Sequence, residues 1–161
     1  MNYTIREAQG VDMPQVLALI KELAVFEKES NAVDVTVDDL IKAGFGEKKL
    51  FHCFVGEINN EIIGMALVYP RYSTWKGPVI HLEDLIVSEK MRGSGLGKAL
   101  LKEVVQYGNN LGVKRISWEV LDWNEPAITF YEKNGARVMR DWDVVQLDEK
   151  GIQAFLELQS N

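Results

Sequence analysis

A mixed α/β sheet, with an antiparallel meander followed by a parallel strand pair and its crossover helix, is the fold class this sequence predicts. Three observations carry it. Apolar, strand-like runs at about 50–57, 61–70 and 79–87 are separated only by short turns. The run ending at Val87 leads through a glycine loop into a helical stretch, Gly95 to Leu111, and then into another apolar run, Arg115 to Leu121. A helix of that length lets the strands on either side lie parallel while it crosses one face. Finally, no repeat, low-complexity segment or linker interrupts the alternation, so the 161 residues read as a single domain, 1–161, long enough to bury about two-thirds of its surface.

The elements follow in order. Residues 2–8 read as a strand. Asp12 can cap a helix whose apolar positions Val16, Leu17, Ile20, Leu23 and Ala24 keep helical spacing, and Thr36 with Asp39 forms a capping box for a shorter helix ending at Gly44 or Gly46. Asn59-Asn60 is a hairpin signal between the first two strands of the meander, and the Trp75 to Pro78 loop separates the second from the third. After the crossover helix and the strand at 115–121, Asn124 caps a helix with Pro126 in its first turn and Asn134-Gly135 as its stop. Residues 142–148 read as a closing strand.

The segment Arg92-Gly93-Ser94-Gly95-Leu96-Gly97-Lys98 is the strongest functional signal. Glycines at alternate positions let successive N–H groups point into one concavity, and the helix that follows adds the partial positive charge of its N-terminus, so a pyrophosphate fits there. The spacing excludes a P-loop, because Ala99 follows Lys98 where a Mg²⁺-binding Ser or Thr belongs, and excludes the G-x-G-x-x-G dinucleotide fingerprint, because Lys98 stands where its third glycine belongs. A plain strand-to-helix turn has little use for three glycines, each costing conformational entropy.

This loop resembles the R/Q-x-x-G-x-G/A signature of the GNAT N-acetyltransferases. Further segments, Glu22-Leu23-Ala24, Gly44-Phe45-Gly46, His52-Cys53, Tyr72 to Gly77, Leu82-Glu83-Asp84 and Val120 to Asn124, resemble the diamine branch of that superfamily, which includes spermidine/spermine and thialysine acetyltransferases. The resemblance runs from about Ile5 to about Trp142. It implies the GNAT acyl-CoA N-acyltransferase fold, in which the two parallel strands splay apart and the arm of acetyl-CoA lies in the gap against the backbone of Leu85, Ile86 and Val87. It implies pyrophosphate contacts from Arg92, Gly93, Ser94, Gly95, Leu96, Gly97 and Lys98, and a contact from Asn124 to the cofactor arm. It also implies a homodimer.

Chemistry narrows the remaining roles. Transfer of an acetyl group needs a neutral amine, and an ammonium with a lysine-like pKa of about 10.4 must give up its proton at a cost of about 4.6 kcal/mol at pH 7. A carboxylate near the thioester both draws the cation in and receives the proton, and Glu83-Asp84 stands just before the strand expected to carry the cofactor. Successive strand residues face opposite ways, so one of the pair reaches the site unless a bulge intervenes. The resemblance selects Glu83 as the site carboxylate, either the direct base or the anchor of a proton-carrying water, with Asp84 beside it, and places the general acid for the leaving thiolate at Tyr131 in Asn124 to Tyr131. It also puts Phe26 and Glu27, at the end of the first long helix, near the distal cation of a diamine. Trp75 offers an apolar or cation–π wall for an alkyl ammonium chain. Ser73 stands where the spermidine/spermine enzymes carry an aspartate, and Tyr72 to Gly77 reads like the thialysine enzymes, which favours thialysine, a lysine-like amino acid or a short diamine over a long polyamine.

Composition sets outer limits. The formal net charge of −6 argues against a nucleic-acid surface and agrees with a cationic small-molecule substrate. Cys53, the single cysteine, lies within an apolar run and reads as a buried strand residue in a reducing, cytoplasmic setting. No 18-residue apolar stretch and no apolar leader are present, so no membrane span is expected. His52 and Cys53 point to opposite faces of a strand, and His81 has only Glu83 at ligand spacing, so no metal is expected. Other readings are acetylation of a peptide or protein amine, and an acyl-CoA-binding sensor without catalysis; the sensor has no need of both Glu83 and Tyr131.

Overall fold

The computed structural model describes residues 2–159, which divide into two compact units, Met1–Glu119 and Val120–Asn161. The first unit is built on a five-stranded sheet in sequential order: β1 (Thr4–Glu7), β2 (His52–Ile58), β3 (Glu61–Ser73), β4 (Gly77–Val87) and β5 (Ile116–Ser117). The first four strands pair antiparallel and β5 joins β4 in parallel. Three helices accompany it: α1 (Met13–Phe26), α2 (Val37–Phe45) and the crossover helix α3 (Leu96–Asn110). The predicted class is therefore the observed one, with β1 added to the meander.

Local chemistry accounts for most boundaries. Asn59 and Asn60 both adopt positive φ, 50° and 64°, the left-handed pair that a two-residue hairpin turn requires. Thr36 and Asp39 exchange hydrogen bonds in a capping box at the start of α2. Asp12 behaves differently from the expected cap. Its carboxylate accepts hydrogen bonds from Gln9 N–H and from the Arg6 guanidinium, 2.7 Å each, which ties β1 to the entry of α1 and holds the acid below the usual carboxylate range, first through the Arg6 hydrogen bond.

The two faces of the sheet bury different helices. On one, Cys53, Val55, Met65, Leu67 and Ile86 pack with Met13, Val16, Leu17 and Leu19 of α1 and Leu40 of α2. On the other lies α3. Gly56 and Gly64 are cross-strand partners there, and a Cβ on Gly56 would come within 2.6 Å of the Leu96 side chain, so the bare glycines let the first residue of α3 sink onto the sheet. His52 stacks on Tyr107 of α3 with ring centroids 4.6 Å apart, while Cys53 joins the α1 core, so the two neighbours do face opposite ways.

Two strand expectations need correction. The run 115–121 pairs only at Ile116 and Ser117, because β4 is bulged just beyond His81, and a bulge bends its strand away from a straight neighbour. Residues 142–148 form no strand: no strand is described opposite them to satisfy their backbone, and Asp148 instead accepts the Gly151 N–H through Oδ1 (2.7 Å) at the entry of α5 (Glu149–Gln159). That helix was not expected. The second unit also holds α4 (Glu125–Lys133), capped by Asn124 and followed by Gly135 at φ +90°, as the sequence predicts.

Candidate active site

The bulge on β4 organises the site. Asp84 pairs with Leu67 and Leu82 with Val68, so Glu83 is an extra residue with no partner of its own on β3. His81 pairs with Tyr69, and Tyr69 and Leu67, two apart on β3, share the face that carries α1. His81 and Asp84, three residues apart, therefore end on the same face, and Glu83 reaches it too: its Oε2 lies 3.7 Å from His81 Nε2. The alternation that would have sent one acid of the pair away is suspended at this point.

Glu27, just past the last turn of α1, completes an acidic group. Burial pushes the half-buried Asp84 up to about 6, with the charges of Glu83 and Glu27 adding to the shift, and burial also raises Glu27. Tyr69 is raised first by burial and then by the adjacent Glu83 carboxylate. Asp84 feels the charges of both Glu83 and Glu27, so this group gains by receiving a cation.

Immediately after the bulge, β4 presents an open edge. Leu85, Ile86 and Val87 pair with Ala66, Met65 and Gly64 on one side, and no strand among the described residues pairs with them on the other. Their free backbone groups can hydrogen-bond an extended, amide-bearing ligand. The strand then runs through a short 3-10 turn, Glu89–Met91, into the glycine loop. Gly93 and Gly95 take φ of +78° and +85°, conformations that L side chains rarely adopt. Gly97 does not: it lies in the first turn of α3 with ordinary space for a Cβ, so two glycines, rather than three, shape the cradle. The Ser94 hydroxyl accepts the Leu96 N–H (3.4 Å), the N–H groups of Gly97 and Lys98 belong to the open first turn, and the Lys98 side chain is exposed beside them. α1 braces this loop twice. The Glu22 carboxylate accepts the Glu89 N–H at 2.8 Å, and the Arg92 guanidinium sits over the Phe26 ring, 5.1 Å from its centroid.

The remaining candidates stand elsewhere. Trp75 is 79% exposed in the three-residue turn between β3 and β4. Ser73 is buried, and its hydroxyl accepts the N–H groups of Trp75 and Lys76 at 3.2 Å each, so it shapes that turn. Asn124 and Tyr131 belong to the second unit. Asn124 Oδ1 accepts the Ala127 N–H at 3.3 Å as the helix cap, and the half-buried Tyr131 packs its ring against Phe130, 5.3 Å between centroids. Sequence reasoning passed over Tyr69 and treated His81 only as a possible metal ligand. The spacing His81-x-Glu83 was the one local clue; Tyr69 needed the cross-strand register. Among the described residues no group of three His, Cys, Asp or Glu side chains is placed to hold a metal ion, and no helix is long and apolar enough to cross a membrane.

These features agree with what is known of similar chains. The profile of the acetyltransferase (GNAT) family matches residues 17–136. A thialysine N-epsilon-acetyltransferase from Bos taurus is 39% identical over 141 residues, spanning 83% of this chain and 83% of that protein, and one from Caenorhabditis elegans is 40% identical over 146 residues, 89% and 90% of the two. A human spermidine/spermine N(1)-acetyltransferase-like protein 1 is 35% identical over 141 residues, 83% of this chain and 20% of that longer protein. Among solved structures, an integron cassette protein from V. cholerae superposes with a TM-score of 0.79 at 20% identity, covering 98% of this chain and 99% of that one, a likeness of fold. With a family profile across most of its length and a glycine cradle following a strand with an open edge, this chain belongs to the GNAT family of acetyl-CoA-dependent N-acetyltransferases.

Proposed function

We propose that this enzyme acetylates a primary amine of a small cationic acceptor, namely thialysine, a lysine-like amino acid, a diamine or a polyamine, by direct transfer within a ternary complex. The observation that carries this reading is the gathering of Glu27, Glu83 and Asp84 on one face at the bulge, beside the open edge of β4. The names of the relatives support the same acceptor class.

Acetyl-CoA supplies the activated acetyl group. In the proposed arrangement Leu85, Ile86 and Val87 pair with its arm, the loop from Arg92 to Lys98 receives its pyrophosphate, and Asn124 contacts the arm in addition to capping α4. Glu83 takes the proton from the acceptor ammonium, either directly or through one water. Asp84 and Glu27 hold a second cationic group, with Phe26 and Trp75 lining its alkyl chain. Tyr131 donates a hydrogen bond or proton to the departing sulfur. In this reading residues 1–161 form one catalytic domain, the homodimer follows from the family resemblance, and the cytoplasmic setting follows from the single cysteine, Cys53, read as a reduced strand residue.

The test is release of free thiol from acetyl-CoA with a panel of thialysine, lysine, putrescine, spermidine, spermine and a lysine-containing peptide. Turnover with one or more of the small amines, well above that with the peptide, is expected. Turnover confined to the peptide would overturn the acceptor class. Tyr131→Phe should lower kcat about 100-fold while leaving the Kd for acetyl-CoA within about threefold; an unchanged kcat removes Tyr131 from the chemistry.

A further inference from the structure

The approach to the glycine loop leans on α1 at two points, and both come from one face of that helix. Glu22 and Phe26 are four residues apart, so their side chains lie one helical turn apart on the same side. The Glu22 carboxylate accepts the Glu89 N–H at 2.8 Å where the 3-10 turn begins, and the Phe26 ring meets the Arg92 guanidinium where it ends, 5.1 Å from the ring centroid. Between these points the turn is closed by its own backbone: Met91 N–H donates to Ser88 C=O at 2.8 Å and Arg92 N–H to Glu89 C=O at 3.3 Å. The segment is thus tied to α1 at both ends. Arg92 itself is exposed, and a long exposed side chain loses rotamer freedom when an anion fixes it. A partner that holds it beforehand lowers that cost, and the kind of partner matters. A carboxylate would hold the guanidinium by neutralising it and by occupying the N–H edge that a phosphate needs. An aromatic face attracts the cation through its quadrupole and leaves both the charge and that edge available. Among the described residues no carboxylate forms an ion pair with Arg92.

We propose that Glu22 and Phe26 are positioning residues for the pyrophosphate of acetyl-CoA: Glu22 fixes the turn, and Phe26 holds Arg92 in place with its charge intact. The proposal rests on the reading in which the loop from Arg92 to Lys98 receives that pyrophosphate. It gives α1 a second task. Phe26 immediately precedes Glu27, so the helix end that carries an acid to the acceptor group also seats the cation of the cofactor loop.

Acetyl-pantetheine carries the thioester and the arm without the pyrophosphate, and so separates this role from a general structural one. The quantity to measure is kcat/KM with acetyl-CoA divided by kcat/KM with acetyl-pantetheine, using the most rapidly acetylated amine of the panel. Any contact between a varied side chain and the amine cancels in that ratio. Phe26→Leu should lower the ratio about fivefold, and Phe26→Tyr, which keeps an aromatic face, should restore it. Glu22→Ala should lower it about threefold, and Glu22→Gln, whose amide oxygen still accepts the Glu89 N–H, should restore it. Arg92→Ala should lower it about tenfold, and adding Phe26→Leu to Arg92→Ala should lower it no further. In calorimetry with 3′-phospho-ADP, which has the pyrophosphate without the arm, Phe26→Leu should raise the Kd about fivefold as well. An unchanged ratio in Phe26→Leu beside a lowered one in Arg92→Ala overturns the proposal alone, as do losses that simply multiply in the double variant. An unchanged ratio in Arg92→Ala overturns the reading of the loop itself. Where acetyl-pantetheine reacts too slowly to follow, the Kd for 3′-phospho-ADP decides, and a parent-like value in Phe26→Leu overturns the proposal. If Phe26→Leu does not fold, the Glu22 pair decides: a loss in the alanine variant that glutamine recovers supports the brace, and an alanine variant with the parent ratio overturns it.

Discussion

The two halves of β4 differ in what they are paired with, and so in what they can do. From Gly77 to Leu82 the strand runs beside β3, and at Ile80 and His81 it is also bonded to β5, so its backbone is occupied on both sides there and its apolar side chains Val79, Ile80 and Leu82 are almost fully buried. From Leu85 to Val87 it keeps β3 and has no strand among the described residues on the other edge. Glu83 is the hinge between them. One extra residue converts a structural strand into a strand with an unspent row of donors and acceptors, and does so where Glu83 and Asp84 stand. A single continuous element can therefore be both scaffold and site.

Substitutions on either side of the hinge should separate those two jobs. The largest effect belongs to Glu83→Gln, which removes the proposed proton acceptor at the bulge while keeping its shape. Its kcat should fall about 1,000-fold, near 4 kcal/mol of barrier, with the Kd for acetyl-CoA unchanged by calorimetry. Ile80→Ala, in the scaffold half, should do the reverse. Truncating this fully buried side chain should cost about 3 kcal/mol in urea denaturation, while the folded fraction keeps its kcat.

Asp84→Asn sharpens the contrast, because Asp84 lies on the site side of the hinge yet reports through stability. Its carboxyl is raised from 3.8 to about 6, so the folded chain holds that proton to higher pH than the unfolded chain does. The associated stability is full below pH about 4 and is lost as pH rises through about 6, at most about 3 kcal/mol. The asparagine variant should therefore be more stable than the parent at pH 8 and indistinguishable at pH 4. Equal stability at pH 8 would mean that Asp84 is solvated and takes no part in the acidic group.

Much of this was legible in the chain itself, and the reason is locality. The Asn59-Asn60 turn, the Thr36/Asp39 box, the Asn124 cap and the loop at Gly93 and Gly95 are set by residues within a few positions of one another, and each acts through its own φ or its own hydrogen bond. What escaped depended on distant partners. A bulge at Glu83 has no glycine to announce it; it exists because β3 and β4 keep different counts between the same two ends. Tyr69 and Ser117 meet His81 only through the register of the sheet. Residues 142–148 have an acceptable strand composition, but a strand is completed by its neighbour, and none is described.

Cys53 carries a practical corollary. Its side chain is 5% exposed in the α1 core, and burial pushes its thiol up to about 12, so the folded protein presents almost no thiolate to a disulfide reagent. Because it is the single cysteine of the chain, a colorimetric thiol count on native enzyme registers coenzyme A and little else, and the same reagent added with denaturant returns one equivalent per chain. The fold supplies its own background correction and its own unfolding probe, with no label attached.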